Sequence, residues 1–378
     1  MINEARLIQL FLDLCNINSP SRQEQEVVEW MKGFLTKNDL HWTEDNAGEV
    51  IGGNANNLIV HVPGNLPGAP RIFLSAHFDT VEPTPDLVIE EVDGVYRSAS
   101  DTILGADDKG GMAPAIEAVL ALKASGEAHG DIYLLLSVAE EIGLLGAAAL
   151  QIEDLNLDYG FVLDTGPPVG TYVTRTANHD KMDITITGKP AHAGKDPEKG
   201  INAIQVAAAA IAQMTLGRID AETTANIGII TGGTGTNVVC PEVTIKAEAR
   251  STNVETLDAQ VAHMKQCFTD AASKWGAEVR FDYKRHYNAY TIDETGEVVR
   301  VGQEASRNLG LDNTLRTTLG GSDANIYNAK GVPTIVMATG MDKIHTHDEF
   351  ISRADLIKTA ELALEVIRVA AKTPTKVH

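Results

Sequence analysis

Cysteine is scarce in this chain of 378 residues. There are three, Cys15, Cys240 and Cys267, an odd number without any Cys-x-x-Cys spacing. Their scarcity argues against a disulfide framework and a thiolate zinc site, and it fits a reducing compartment. Positive charge is short as well: 31 Lys and Arg stand against 52 Asp and Glu, a formal charge of -21. So acidic a surface argues against nucleic acid or an anionic membrane as partner. No apolar run approaches the roughly 20 residues that span a bilayer. The N-terminus opens an amphipathic helix rather than the basic-then-apolar pattern of a secretion signal. Internal repeats and low-complexity segments are lacking too. A soluble, cytoplasmic protein is the expectation.

What is present is length and alternation. A chain of this size predicts two domains. Helical spacing over 2–15 and 22–37 is separated by Ser19-Pro20-Ser21, and Ser21 with Glu24 forms a candidate capping box for the second helix. Strands are expected at 57–62, 71–76, 131–139 and 159–163, with a helix over 112–122 and another near 144–151. The segment 80–103 reads as an irregular polar connection. Continuous apolar strands alternating with helices predict a parallel sheet covered on both faces. From Lys181 the pattern changes to period two, and the order β-α-β-β-α-β that follows is that of a ferredoxin-like α+β domain. The first pattern returns with a helix over 294–309, a strand over 332–338 and a closing helix over 352–371. The expected fold is therefore an α/β/α catalytic domain, residues 1–175 and 291–378, split around an inserted ferredoxin-like domain, residues 176–290.

The chemistry gathers around Leu104-Gly105-Ala106-Asp107-Asp108-Lys109-Gly110-Gly111. Two adjacent aspartates between small residues have an ordinary explanation, an acidic turn that caps a helix. But ligands in open α/β sheets bind beyond the carboxyl ends of the strands, and metal-type residues recur there. His77, Glu140, Glu141 and Asp164 each follow a predicted strand, and His345 lies in the loop after another. Singly, His77 could be a buried histidine bonded to Asp79, the glutamates solvated loop charges and Asp164 a turn residue. Together at one edge they predict a site for two divalent ions. Asp107, Glu141 and Asp164 would cancel three of the four positive charges, and a bridging hydroxide the last, which is how paired metals make a nucleophile near neutral pH. Mixed imidazole and carboxylate donors suit zinc, with cobalt or manganese as alternatives, better than calcium. Asp79, counted with the catalytic residues, is placed to accept the other ring N–H of His77 and fix its tautomer.

These motifs together, His77-Phe-Asp79, Gly105 to Gly111, Glu140-Glu141-Ile-Gly143, Asp164-Thr-Gly166 and His345-Thr-His-Asp-Glu349, resemble the M20 family of dinuclear metallopeptidases, and within it the peptidase-T-like branch. The resemblance implies that Asp107 bridges the ions, with His77 and Asp164 on one and Glu141 and His345 on the other. It makes Glu140 the general base, favours His345 over His347 by its spacing to Glu349, and implies a cis peptide bond after Asp107. In the insert, His192 resembles a histidine that stabilises the tetrahedral oxyanion, and Asn237 and Arg250 resemble residues that grip a substrate carboxylate. Ser322 is a further candidate contact. The implied activity is removal of the N-terminal residue from short peptides, tripeptides above all. Two others remain open: an N-acyl-amino-acid deacylase or carboxypeptidase, and a non-catalytic metal- or peptide-binding protein, against which Glu140 beside Glu141 speaks. A homodimer through the insert is the expected assembly, if any.

Overall fold

The apolar run after Arg71 forms a fully buried strand, Ile72–His77, in the computed structural model, which describes residues 1–373. Three similar runs lie parallel with it, in the order Ile132–Ser137, Ile72–His77, Tyr159–Val162, Thr334–Met337. Each is buried along its whole length, as strands covered on both faces must be. Their carboxyl ends consequently share one edge of the sheet.

Among the described residues the sheet has eight strands and is mixed, because the strand on each side of the parallel four runs the other way. Leu58–Val62 joins Ile132–Ser137 antiparallel and carries His41–Glu44 outside it. On the far side Tyr172–Arg175 pairs antiparallel with Thr334–Met337, and Leu315–Thr317 lies beyond. Leu58–Val62 alternates buried and half-buried, the mark of a strand with one solvated face. The segment 80–103 is more ordered than its polarity suggests. It folds into the hairpin Ile89–Val92 and Val95–Ser98, joined by Phe350–Ser352. Glu90, Glu91 and Val92 in that hairpin are exposed, so no apolar stripe announces it.

The helix Ala106–Ser125 is buried on all sides from Ala106 to Leu122 and packs against Glu4–Cys15 and Arg353–Lys372. It starts six residues before its periodic apolar pattern does, with non-helical angles at Asp107 and Asp108. Gly111 makes its close approach to the sheet possible. A Cβ there would lie 1.9 Å from the Leu163 carbonyl oxygen and 2.4 Å from Asp108 Oδ1. Gly111→Ala is therefore expected to destabilise the protein by about 1–3 kcal/mol, read as a lower midpoint in thermal unfolding.

The chain divides into two compact units. One comprises Met1–Thr174, Thr291–Thr317 and Ser322 onward; the other comprises Arg175–Tyr290 and Thr318–Gly321. The second unit is an antiparallel sheet in the order Gly217–Asp220, Thr223–Gly232, Glu242–Ser251, Asn178–Thr187, Glu278–Tyr287. Its last four strands have the ferredoxin-like order, and Gly217–Asp220 is an added edge strand that the alternation does not reveal. Helices Ala203–Ile211 and Val254–Trp275 each start at an asparagine N-cap, Asn202 and Asn253. They cover one face of the sheet through Met182, Ile184, Ile186, Val206, Leu257, Met264 and Phe268. Among the described residues no helix is long and apolar enough to cross a membrane. The three cysteines are buried and free.

Candidate metal centre

Asp107 is fixed from behind. Gly105 turns the chain with a left-handed φ of 75°, and the buried carboxylate of Glu349 accepts the N–H groups of Gly105 at 2.7 Å and Asp107 at 2.9 Å. The peptide bond from Asp107 to Asp108 is cis. Asp108 points away and accepts the backbone N–H of His77 at 3.2 Å. The two oxygens of Asp107 then face one imidazole each: Oδ1 lies 3.2 Å from His77 Nε2, and Oδ2 lies 3.2 Å from His345 Nε2.

Around this carboxylate two sets of donors converge. His77, Asp107 and Asp164 each offer an atom within 4.8 Å of the others, and so do Asp107, Glu141 and His345. His345 Nε2 also lies 3.0 Å from Glu141 Oε1. His77 donates from Nδ1 to the carbonyl oxygen of Asp79 at 2.9 Å, with Asp79 Oδ1 at 3.3 Å. The tautomer is thus fixed mainly by the Asp79 backbone rather than by its carboxylate. That carboxylate has other work. Its Oδ1 accepts the N–H of Glu140 at 2.9 Å, and its Oδ2 accepts the N–H of Glu141 at 3.1 Å and the hydroxyl of Ser21 at 2.6 Å. His347 is bonded elsewhere, to Glu82 at 2.9 Å and Asp101 at 3.1 Å.

The electrostatics of the cluster favour a cation. Hydrogen bonds to Asp107 and Glu141 push the His345 imidazole up to about 10. Burial alone would lower His77, yet its bonds to Asp107 and Asp79 raise it well above the usual histidine range. Asp107, although buried, is held below the usual carboxylate range by the two histidines. Asp164 and Glu140 are raised well above it, first by burial and then by neighbouring charges, Asp107 at Asp164 and Glu141 at Glu140. Crowded carboxylates that draw protons onto their neighbouring imidazoles are a donor set that a divalent ion fits, since it replaces those protons with fixed positive charge.

Several residues of this edge escape the sequence patterns. The Ser21-x-x-Glu24 motif matches a capping box, but helix Gln25–Lys37 has no side-chain cap from Glu24. Ser21 bonds Asp79 instead, and Glu24 accepts the N–H of Ala139 at 2.9 Å. Asp323 is buried with one oxygen bonded to the Ser137 hydroxyl, and burial pushes its carboxyl up to about 6. No spacing signal separates these acids from solvated ones. Ser322 sits at the start of Asp323–Ala329, where its hydroxyl accepts the Ala324 N–H at 3.3 Å as a helix cap.

In the second unit, His192 and Asn237 are exposed on neighbouring loops, joined by the bond from Ala193 N–H to the Asn237 carbonyl at 2.9 Å. His192 Nδ1 accepts the Gly194 N–H at 3.1 Å, which leaves its proton on Nε2. Arg250 lies opposite His179 in the sheet and is held by Glu248 through Nε at 3.1 Å and Nη2 at 3.2 Å.

Residues 73–369 match the profile of peptidase family M20/M25/M40. The chain belongs to this family. It is a hydrolase, a peptidase-T-like M20 peptidase. A tripeptidase from Staphylococcus aureus is similar in structure, with a TM-score of 0.92 and 37% identity over 99% of this chain and 100% of that one. Aminopeptidase PepT from Bacillus cereus aligns with a TM-score of 0.86 and 40% identity over 98% of this chain and 99% of its own. Uncharacterized protein YqjE of Bacillus subtilis is 40% identical over 98% of this chain and 100% of its own.

Proposed function

We propose that this M20 peptidase is a metal-dependent exopeptidase that removes the N-terminal residue from short peptides, tripeptides foremost. The observation that carries the reading is Asp107 at the junction of two donor sets, with buried Glu140 next to Glu141 in the chain and within the charge influence of His77 and Glu141. In this reading His77, Asp107 and Asp164 would hold one ion and Asp107, Glu141 and His345 a second. The donor chemistry suits zinc, with cobalt or manganese able to replace it. When bound, the ions supply Lewis acidity toward the scissile carbonyl and toward water.

The chain's own residues do the rest. Glu140 takes a proton from the attacking water and passes it to the leaving amine. Burial raises its carboxyl well above the usual carboxylate range, the direction that suits a group which both accepts and returns a proton. Asp79 keeps the proton of His77 on Nδ1, so that Nε2 presents a lone pair. In the insert, the Nε2–H of His192 is the donor for the developing oxyanion. Asn237 and Arg250 take the substrate carboxylate, for which a guanidinium fork is well shaped, and Ser322 is a further contact through its backbone or hydroxyl. The names of the tripeptidase and of aminopeptidase PepT, matched over nearly the whole chain, support the choice of substrate. A cytoplasmic location and a homodimer through the insert complete the reading. The exposed Ile229 and Ile230 on strand Thr223–Gly232 support the latter.

The test is hydrolysis of one free tripeptide and its N-acetylated twin by the zinc- or cobalt-loaded protein. Cleavage of the free peptide alone, with release of its first residue, is expected. A preference for the acetylated twin would move the protein to the deacylases or carboxypeptidases, and cleavage of neither would favour a binding protein.

A further inference from the structure

The segment after the first helix turns away from capping the second one and reaches the site. Glu24 is fully buried, yet among the described residues no positive side chain pairs with it and its Oε2 has no hydrogen-bond partner. Its Oε1 accepts two backbone N–H groups, Arg22 and Ala139, each at 2.9 Å. Ala139 immediately precedes Glu140 and has a φ of 53°, the left-handed region that a non-glycine residue occupies only where its surroundings hold it. The next two N–H groups, Glu140 and Glu141, go to the two oxygens of Asp79, which Ser21 braces. Two buried carboxylates thus take three consecutive N–H groups, and the left-handed residue just before Glu140 turns the chain two residues beyond the strand Ile132–Ser137.

We propose that Glu24 is a positioning residue: it pins the left-handed turn at Ala139 and thereby aims Glu140 and Glu141 at their tasks. The inference rests on the reading of Glu140 as base and Glu141 as metal ligand. A carboxylate is costly to bury without a partner, and backbone N–H groups beside a strained residue are what repay it here. The hydrogen bond matters rather than the charge. Glutamine keeps an oxygen able to accept both N–H groups, whereas alanine leaves them unmet.

The experiment compares Glu24→Ala, Glu24→Gln and Glu24→Ala combined with Ala139→Gly. Each metal-free protein is titrated with cobalt, and kcat and KM are measured on a free tripeptide. Glu24→Ala is expected to weaken the second cobalt equivalent and to lower kcat, each by about 10–100-fold, with KM little changed. Glu24→Gln should stay close to the parent. The added glycine, which adopts the left-handed turn without steric cost, should recover part of both losses and keeps the test open if Glu24→Ala alone does not fold. Parent-like cobalt binding and kcat in a folded alanine variant would overturn the proposal, as would equal losses in Glu24→Gln and Glu24→Ala. A parent chain that binds two cobalt ions but cleaves no tripeptide would count against the substrate reading and leave the cobalt titrations to decide about Glu24.

Discussion

Replacing Glu140 by glutamine is expected to lower kcat by about 10²–10⁴-fold, the usual contribution of a positioned acid–base group, while two equivalents of metal still bind. Glu140 belongs to neither set of converging donors around Asp107. Its backbone is held by Asp79 and its side chain is buried at the same edge. Glutamine preserves that shape and can neither accept nor return the proton. Cobalt titration alongside turnover separates the two roles. A variant that loses both metal and activity would make Glu140 a ligand, and one that keeps full activity would remove it from the mechanism.

Asp107→Ala should act differently and affect both ions at once. Asp107 is the one residue common to the two donor sets, and its oxygens face His77 and His345 separately. The loss for each equivalent should exceed the about 10–100-fold typical of residues that only support a ligand, and turnover should fall to background. Stability reports the same event. Saturating the parent with an ion that binds only the folded state, at about 100 times its dissociation constant, adds about 2.7 kcal/mol. The thermal midpoint of the parent should therefore rise on adding zinc or cobalt and fall again with a chelator, while that of Asp107→Ala stays where it is. A variant that retains one tight equivalent would show that the carboxylate serves a single ion.

The alanine and glutamine variants probe different links of one chain. Strand order brings His77, Glu140 and Asp164 to a common edge, but what aims them is a set of buried carboxylates that accept backbone N–H groups. Glu349 holds Gly105 and Asp107, Asp79 holds Glu140 and Glu141, and Glu24 holds Ala139. A carboxylate oxygen that accepts a buried backbone N–H is stabilising because each group would otherwise lack a partner. The acidic composition of the chain is in part spent here.

Much was legible in the residues themselves. Continuous apolar runs ending in His77, Glu140-Glu141 and Asp164 mark buried parallel strands and the edge where they end, since only strands covered on both faces can be apolar throughout. The period-two strands from Lys181 onward, such as Glu242–Ser251, likewise declare a one-sided sheet under two helices. Local signals failed where the partner was distant in the chain. Ser21 and Glu24 carry the pattern of a helix cap, but their partners, Asp79 and Ala139, lie 58 and 115 residues away. The hairpin strand Ile89–Val92 and the edge strand Gly217–Asp220 lack an apolar stripe because neither buries a full face. The sequence alone thus determined the two kinds of sheet and which metal-type residues share an edge, because burial periodicity is written residue by residue. Only the tertiary structure decided that the Asp79 carbonyl takes the His77 ring N–H, and that the carboxylates of Asp79 and Glu24 serve the backbone of the glutamate pair and of Ala139 before it. Those choices depend on which buried N–H and oxygen atoms meet across the fold, and no spacing along the chain encodes that.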